Sequence, residues 1–112
     1  MNWKMKSAAN WGRLALSYNL SGRVEREIIA LAKKYGVRKV ILFGSRARGD
    51  NWERSDIDLA VSGGNIAEFS DEADEKIWTL LLIDVVNLDR GISNELRKEI
   101  ERDGVLLYEE VR

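Results

Sequence analysis

The sequence predicts a small α+β domain, a mixed sheet of three to four strands with helices packed on one face. Three observations carry that expectation. Helical patterns alternate with short β-type apolar runs along the chain. Glycine or serine punctuates most junctions between them. The 112 residues, 45% hydrophobic and 33% charged, suit a single core. Ser21 is placed to cap a helix running to about Tyr35, with Val24, Ile28, Leu31, Ala32 and Tyr35 as its apolar stripe and Gly36 as its stop. "RKVILF" reads as a strand bounded by Gly44, "SRAR" as one helical turn, "GDNWERS" as a loop and "DIDLAV" as a second strand ended by "SGG". A helix over about Ala67 to Trp78 has a weaker stripe, and "LLLIDVVNL" forms a third strand. Ser93 caps a last helix with Leu96 and Ile100 facing inward, Gly104 closes it, and "VLLY" is a short final strand.

Residues 1–20 stand apart, with three basic groups, no acid and two of the four tryptophans. Trp11, Leu14, Ala15 and Tyr18 fall at helical spacing. The chain therefore divides into an N-terminal extension at 1–20, helical by its pattern, and one domain at 21–112. Trp3 and Trp11 are expected to pack on the domain's own core. The apolar character of this extension leaves room for a homodimer or a complex with another protein.

Composition removes several chemistries. The chain has no cysteine and no histidine, so disulfides, Cys/His zinc sites and an imidazole base are excluded. Any metal must be held by oxygen, which favours magnesium, manganese or calcium. No apolar run is long enough to span a bilayer, and the N-terminus lacks the apolar centre of an export signal, so a cytoplasmic protein is expected. Residues 1–64 carry twelve basic and six acidic groups, whereas residues 65–112 carry six basic and thirteen acidic. The basic half suits phosphate, and the acidic helix "EFSDEADEK" reads as a solvated face. The balanced total of −1 argues against direct DNA binding.

The chemistry concentrates between Ile41 and Val61. Strand alternation projects Asp56 and Asp58 onto one face and Ile57, Leu59 and Val61 onto the other. Carboxylates inside an apolar strand are costly unless something positive meets them. Asp84 sits mid-strand between Ile83 and Val85, where it would converge with that pair if the two strands are neighbours. Three carboxylates on one sheet face would make an oxygen cage for one or two divalent ions. Asp89, near a strand end beside Arg90, reads instead as a turn residue. The Gly44-Ser45 turn allows close backbone approach to an anion, and Ser45, Arg46 and Arg48 can meet phosphate oxygens. Neither a Walker loop nor GxGxxG is present. Arg48 reads equally well as a surface arginine, and Ser55 as a loop cap or a phosphate ligand. Trp52 is expected to anchor its loop on the domain, with base stacking or a partner contact as the alternative.

Gly44-Ser45, ten intervening residues and Asp56-Ile57-Asp58 together resemble the GS-x10-DxD signature of the polymerase-β-like nucleotidyltransferase superfamily. "GSRARG…SDIDLAV" is similar to the version in its minimal nucleotidyltransferases, the MNT proteins, and the resemblance runs over about Ser21 to Tyr108. It implies the small polymerase-β-like fold. It implies that Asp56, Asp58 and Asp84 hold two magnesium ions, with manganese as a substitute, and that Gly44 and Ser45 grip the triphosphate of ATP. It further implies transfer of AMP to a tyrosine of a HEPN-domain toxin, with this chain as the antitoxin. Two alternatives remain open from sequence: a nucleotide-binding subunit that neutralises its toxin by masking, and transfer to a small molecule or RNA.

Overall fold

The computed structural model describes residues 18–77 and 79–111. The expected helix within residues 1–20 and the packing of Trp3 and Trp11 lie outside these residues, apart from 18–20. Along the chain run α1 (Gly22–Lys34), β1 (Lys39–Phe43), α2 (Ser45–Arg48), β2 (Ile57–Ser62), α3 (Ile66–Lys76), β3 (Ile83–Asn87), α4 (Asn94–Asp103) and β4 (Val105–Glu109). The four strands form one sheet in the order β3-β2-β1-β4. β1 pairs antiparallel with β2 and β4, whereas β2 and β3 are parallel. A parallel pair needs a crossover, and α3 supplies it, returning the chain from the end of β2 to the start of β3.

The alternation of β1 and β2 builds two cores. Val40 and Leu42, opposite Val61 and Leu59, face α1 and α3, where Ile28 and Phe69 are fully buried. Ile41 and Ala60 point to the other face and pack with Leu88 and Ile100. The expectation of helices on one face therefore holds for α1 and α3, while α4 covers part of the opposite face. That division follows from β1, which is buried at all five positions and apolar at the four that follow Lys39.

Local signals explain most boundaries. Gly36 adopts φ +67° after α1, and the Ser93 hydroxyl accepts the Leu96 amide at 3.1 Å to start α4. Ser21 occupies the cap position of α1 but makes no side-chain cap bond, and its carbonyl accepts the Glu25 amide instead. The third strand is shorter than "LLLIDVVNL" suggests. Its pairing with β2 is in register only from Ile83, and Leu80 and Leu82 stand exposed ahead of it. Tyr18 and Leu20 pack against the larger core, and the Tyr18 hydroxyl donates to Glu25. Gly64 adopts φ +72°, and a side chain there would collide with the backbone of Gly36 and Val37.

Phe69 joins α3 to the sheet with no solvent exposure. Phe69→Ala should cost about 3–5 kcal/mol, measured by urea unfolding, because the crossover that aligns β3 loses its largest anchor.

Candidate active site

The parallel register of β2 and β3 pairs Ile57 with Ile83, Asp58 with Asp84 and Leu59 with Val85. Asp58 and Asp84 are thus direct neighbours on the face that also carries Ala60 and Val86. Bonds beyond the strand ends pin that register: the Ile57 amide donates to the Leu82 carbonyl at 2.9 Å, and the Leu88 amide to the Val61 carbonyl at 2.8 Å. A slip of one residue would turn Asp84 to the other face. Asp56 stands exposed one residue before β2, at the mouth of the same pair.

Negative charge is poorly compensated here. Asp58 is half-buried, and its carboxyl is pushed up to about 6, first by burial, then by the charges of Asp84, Asp56 and Glu99; Arg48 offsets part of this. Gly44 lies against the same carboxylate. At φ +77°, a Cβ on Gly44 would sit 2.5 Å from Asp58 Oδ2, so glycine is required for the turn to pass this close. Ser45 opens the single turn of α2 directly after it, and the Arg48 amide bonds back to the Gly44 carbonyl at 3.1 Å. The Gly44-Ser45 turn and the acidic pair therefore meet at one end of the sheet. Among the described residues, no three metal-ligating side chains are gathered closely enough to form a ready cage.

The two arginines part company. Arg46, expected to face phosphate, is buried, and its guanidinium donates to three main-chain carbonyls: Ser55 at 2.9 Å, Glu53 at 3.0 Å and Asn19 at 3.3 Å. Each of its three nitrogens thus bonds a main-chain oxygen, two in the loop between the motif halves and one at Asn19, rather than standing free for a phosphate. Arg48 stays near the carboxylates, where it meets Asp50 at 3.0 Å and Asp103 at 3.2 Å. The Ser55 hydroxyl accepts the Trp52 amide at 3.2 Å, tying the loop locally. Trp52 is 74% exposed and does not anchor the loop on the domain as expected. Asp89 behaves as a turn residue. Its carboxylate accepts the Ser62 hydroxyl at 3.0 Å and the Gly63 amide at 2.8 Å, at the opposite end of β2 from Asp58.

Two acidic side chains near the site belong to no motif of the sequence. Glu99 adds to the potential at Asp58, and Asp103 is buried beneath Arg48. Both lie on α4, whose Leu96 and Ile100 pack on this face of the sheet. Asp103 follows Ile100 by three positions and so shares its helical stripe, which is a readable signal.

With this geometry in view, the relatives are informative. The family profile described as polymerase beta, nucleotidyltransferase, matches residues 26–112. The chain belongs to that family and is a nucleotidyltransferase. It is 33% identical over 88 residues to a Methanocaldococcus jannaschii protein named "Putative protein adenylyltransferase MJ0435", covering 79% of this chain and 77% of that one. A second protein of that organism, "Putative protein adenylyltransferase MJ1379", is 36% identical over 85 residues, covering 70% of this chain and 82% of its own. Among solved structures, a toxin-antitoxin complex with AMP-PNP is similar at TM-score 0.61 and 28% identity, over 77% of this chain and 73% of that one. A variant of the MntA-HpeT toxin-antitoxin is similar at TM-score 0.61 and 27% identity, over 82% and 75%.

The folded protein holds the Asp58 proton more tightly than the unfolded chain does. Stability should therefore fall as pH rises from 3.8 through about 6. Asp58→Asn should flatten that slope in urea unfolding and add on the order of 1 kcal/mol at pH 7.5, a figure already reduced for solvent screening. Arg46→Ala should cost about 2–3 kcal/mol in the same measurement, because main-chain carbonyls lose a charged donor.

Proposed function

We propose that this chain is a metal-dependent adenylyltransferase that moves AMP from ATP onto a tyrosine hydroxyl of a HEPN-class toxin and so acts as its antitoxin. The observation that carries the reading is the in-register Asp58–Asp84 pair beside the Gly44-Ser45 turn, in a chain of this family. Support for the nucleotide comes from the similarity to a toxin-antitoxin structure with AMP-PNP, and support for a protein acceptor from relatives named as protein adenylyltransferases. The MntA-HpeT likeness supports a toxin partner. Among the described residues no helix is long and apolar enough to cross a membrane.

By donor type, though not by a preformed cage among the described residues, the acidic side chains suit magnesium. Asp56, Asp58 and Asp84 offer carboxylate oxygens only, in a chain without histidine or cysteine, and the raised proton affinity of Asp58 marks a site that would welcome a cation. When bound, magnesium would neutralise phosphate charge and make the acceptor hydroxyl more acidic. The chain's own groups do the rest. The Gly44-Ser45 turn would seat the polyphosphate, since the lack of a Cβ at Gly44 lets the backbone approach it. Arg48 would answer charge on the departing phosphates. The acceptor oxygen forms its bond to the α-phosphorus as the bond to the β-phosphate bridging oxygen breaks. Pyrophosphate leaves, and Asp84 takes the hydroxyl proton.

Incubating the chain with ATP, magnesium and the toxin should add one or more adenylyl groups to the toxin, read by intact-protein mass. Joint Asp56→Ala and Asp58→Ala should reduce the transfer rate more than about 100-fold, beyond what loss of a metal ligand's outer partner usually costs. EDTA should abolish transfer and excess magnesium restore it. If the doubly substituted chain transfers nothing yet still neutralises the toxin, masking is the mechanism. An unchanged toxin mass with the unaltered chain rejects this acceptor.

A further inference from the structure

Asp103 is the buried acid for which the reaction outlined above has no use. Only 4% of the residue is exposed, although it ends a surface helix. Two guanidinium groups meet its carboxylate. Arg102 approaches from outside, with Nε 3.1 Å from Oδ1 and Nη2 2.9 Å from Oδ2. Arg48 reaches across from α2, with Nη1 3.2 Å from the same Oδ2. On its other side Arg48 Nε meets the exposed Asp50 carboxylate at 3.0 Å, and Glu99 lies 3.9 Å from Nη1. The same guanidinium acts on Asp58 through its charge. Arg48 thus stands between a fixed acid on α4, an exposed acid in its own loop and the carboxylates of the sheet.

We infer that Asp103 is a positioning residue that holds Arg48 toward the phosphate-binding turn. Three features separate it from an ordinary surface ion pair. The carboxylate is desolvated, so its bond to Arg48 is not diluted by water as the Asp50 contact is. The helix that carries it is anchored to the site face of the sheet by Ile100, which is fully buried. The bond spans residues 48 and 103, joining the two elements that flank the carboxylate pair. Asp50, 62% exposed in its side chain, is the partner Arg48 can release when a triphosphate arrives, while Asp103 keeps the arginine in place. The inference rests on the nucleotide reading above and adds to it a specific dependence on α4.

The test is AMP-PNP binding with magnesium by calorimetry, on the unaltered chain and on Asp103→Asn, Asp103→Glu, Arg48→Ala, Arg102→Ala and the Asp103→Asn/Arg48→Ala pair. Asp103→Asn should weaken binding about five- to tenfold, and Asp103→Glu should recover part of that loss. The double variant should bind no more weakly than Arg48→Ala alone, because Asp103 acts through that arginine. Arg102→Ala removes the outer partner and should leave affinity within about twofold. If the asparagine variant does not fold, the glutamate variant and the Arg102 variant must still differ in this way. Additive losses in the double variant, or unchanged affinity in Asp103→Asn, would overturn the positioning role. Failure of the unaltered chain to bind AMP-PNP would reject the nucleotide reading itself.

Discussion

The parallel pairing of β2 with β3 is the constraint on which the rest depends. It alone sets Asp84 beside Asp58, since the two residues are 26 positions apart and share no local structure. Parallel neighbours cannot be joined by a tight turn, so the register is carried by α3 and by the burial of Phe69 beneath it. The antiparallel pairing of β1 with β2 then brings the Gly44 turn to the same end, because Phe43 lies opposite Asp58. Two ladders of opposite sense therefore converge at one end of the sheet. The chemistry sits where the backbone bonds of both run out.

That end of the sheet is held at an electrostatic cost. A carboxylate that resists ionisation up to about pH 6 is unfavourable in a folded domain unless a positive partner is expected. Arg48 offsets part of the cost, but Asp50 and Asp103 divide its charge. The strain falls on Asp58, the residue most hemmed in by burial and by like charges. The opposite end of β2 contrasts with it. There Asp89 accepts a hydroxyl and an amide and closes a turn. Asp58 on β2 and Asp89 in the turn after β3 thus take different roles, the second because a hydroxyl and an amide meet it.

Much of this was legible in the sequence, for identifiable reasons. The two strands of the motif and the placement of Asp84 over Asp89 follow from alternation and position within a run, which are local properties. The double-sided burial of β1 was visible in its unbroken apolar run, but the helix that covers each face was not, because that depends on long-range packing. The inward turn of Arg46 was hidden as well. A basic residue beside a glycine-serine turn looks like a phosphate ligand, and only the path of the 49–56 loop reveals the carbonyls that claim it. Trp52 departs from its expected packing for a related reason: an aromatic side chain in a loop suggests an anchor, yet Arg46 already holds this loop. The role of α4 was available in part, since Asp103 stands three positions after Ile100 at the end of the same stripe.

The Arg46 clamp has an evolutionary consequence. Its three bonds go to main-chain oxygens of Asn19, Glu53 and Ser55, and every amino acid supplies such an oxygen. The shape of the loop is thereby uncoupled from the identity of the side chains it displays. Trp52, Glu53 and Arg54, all exposed, can be exchanged while the entry into Asp56 keeps its course. A lineage that must track a changing target could rewrite this rim without disturbing the reactive centre behind it.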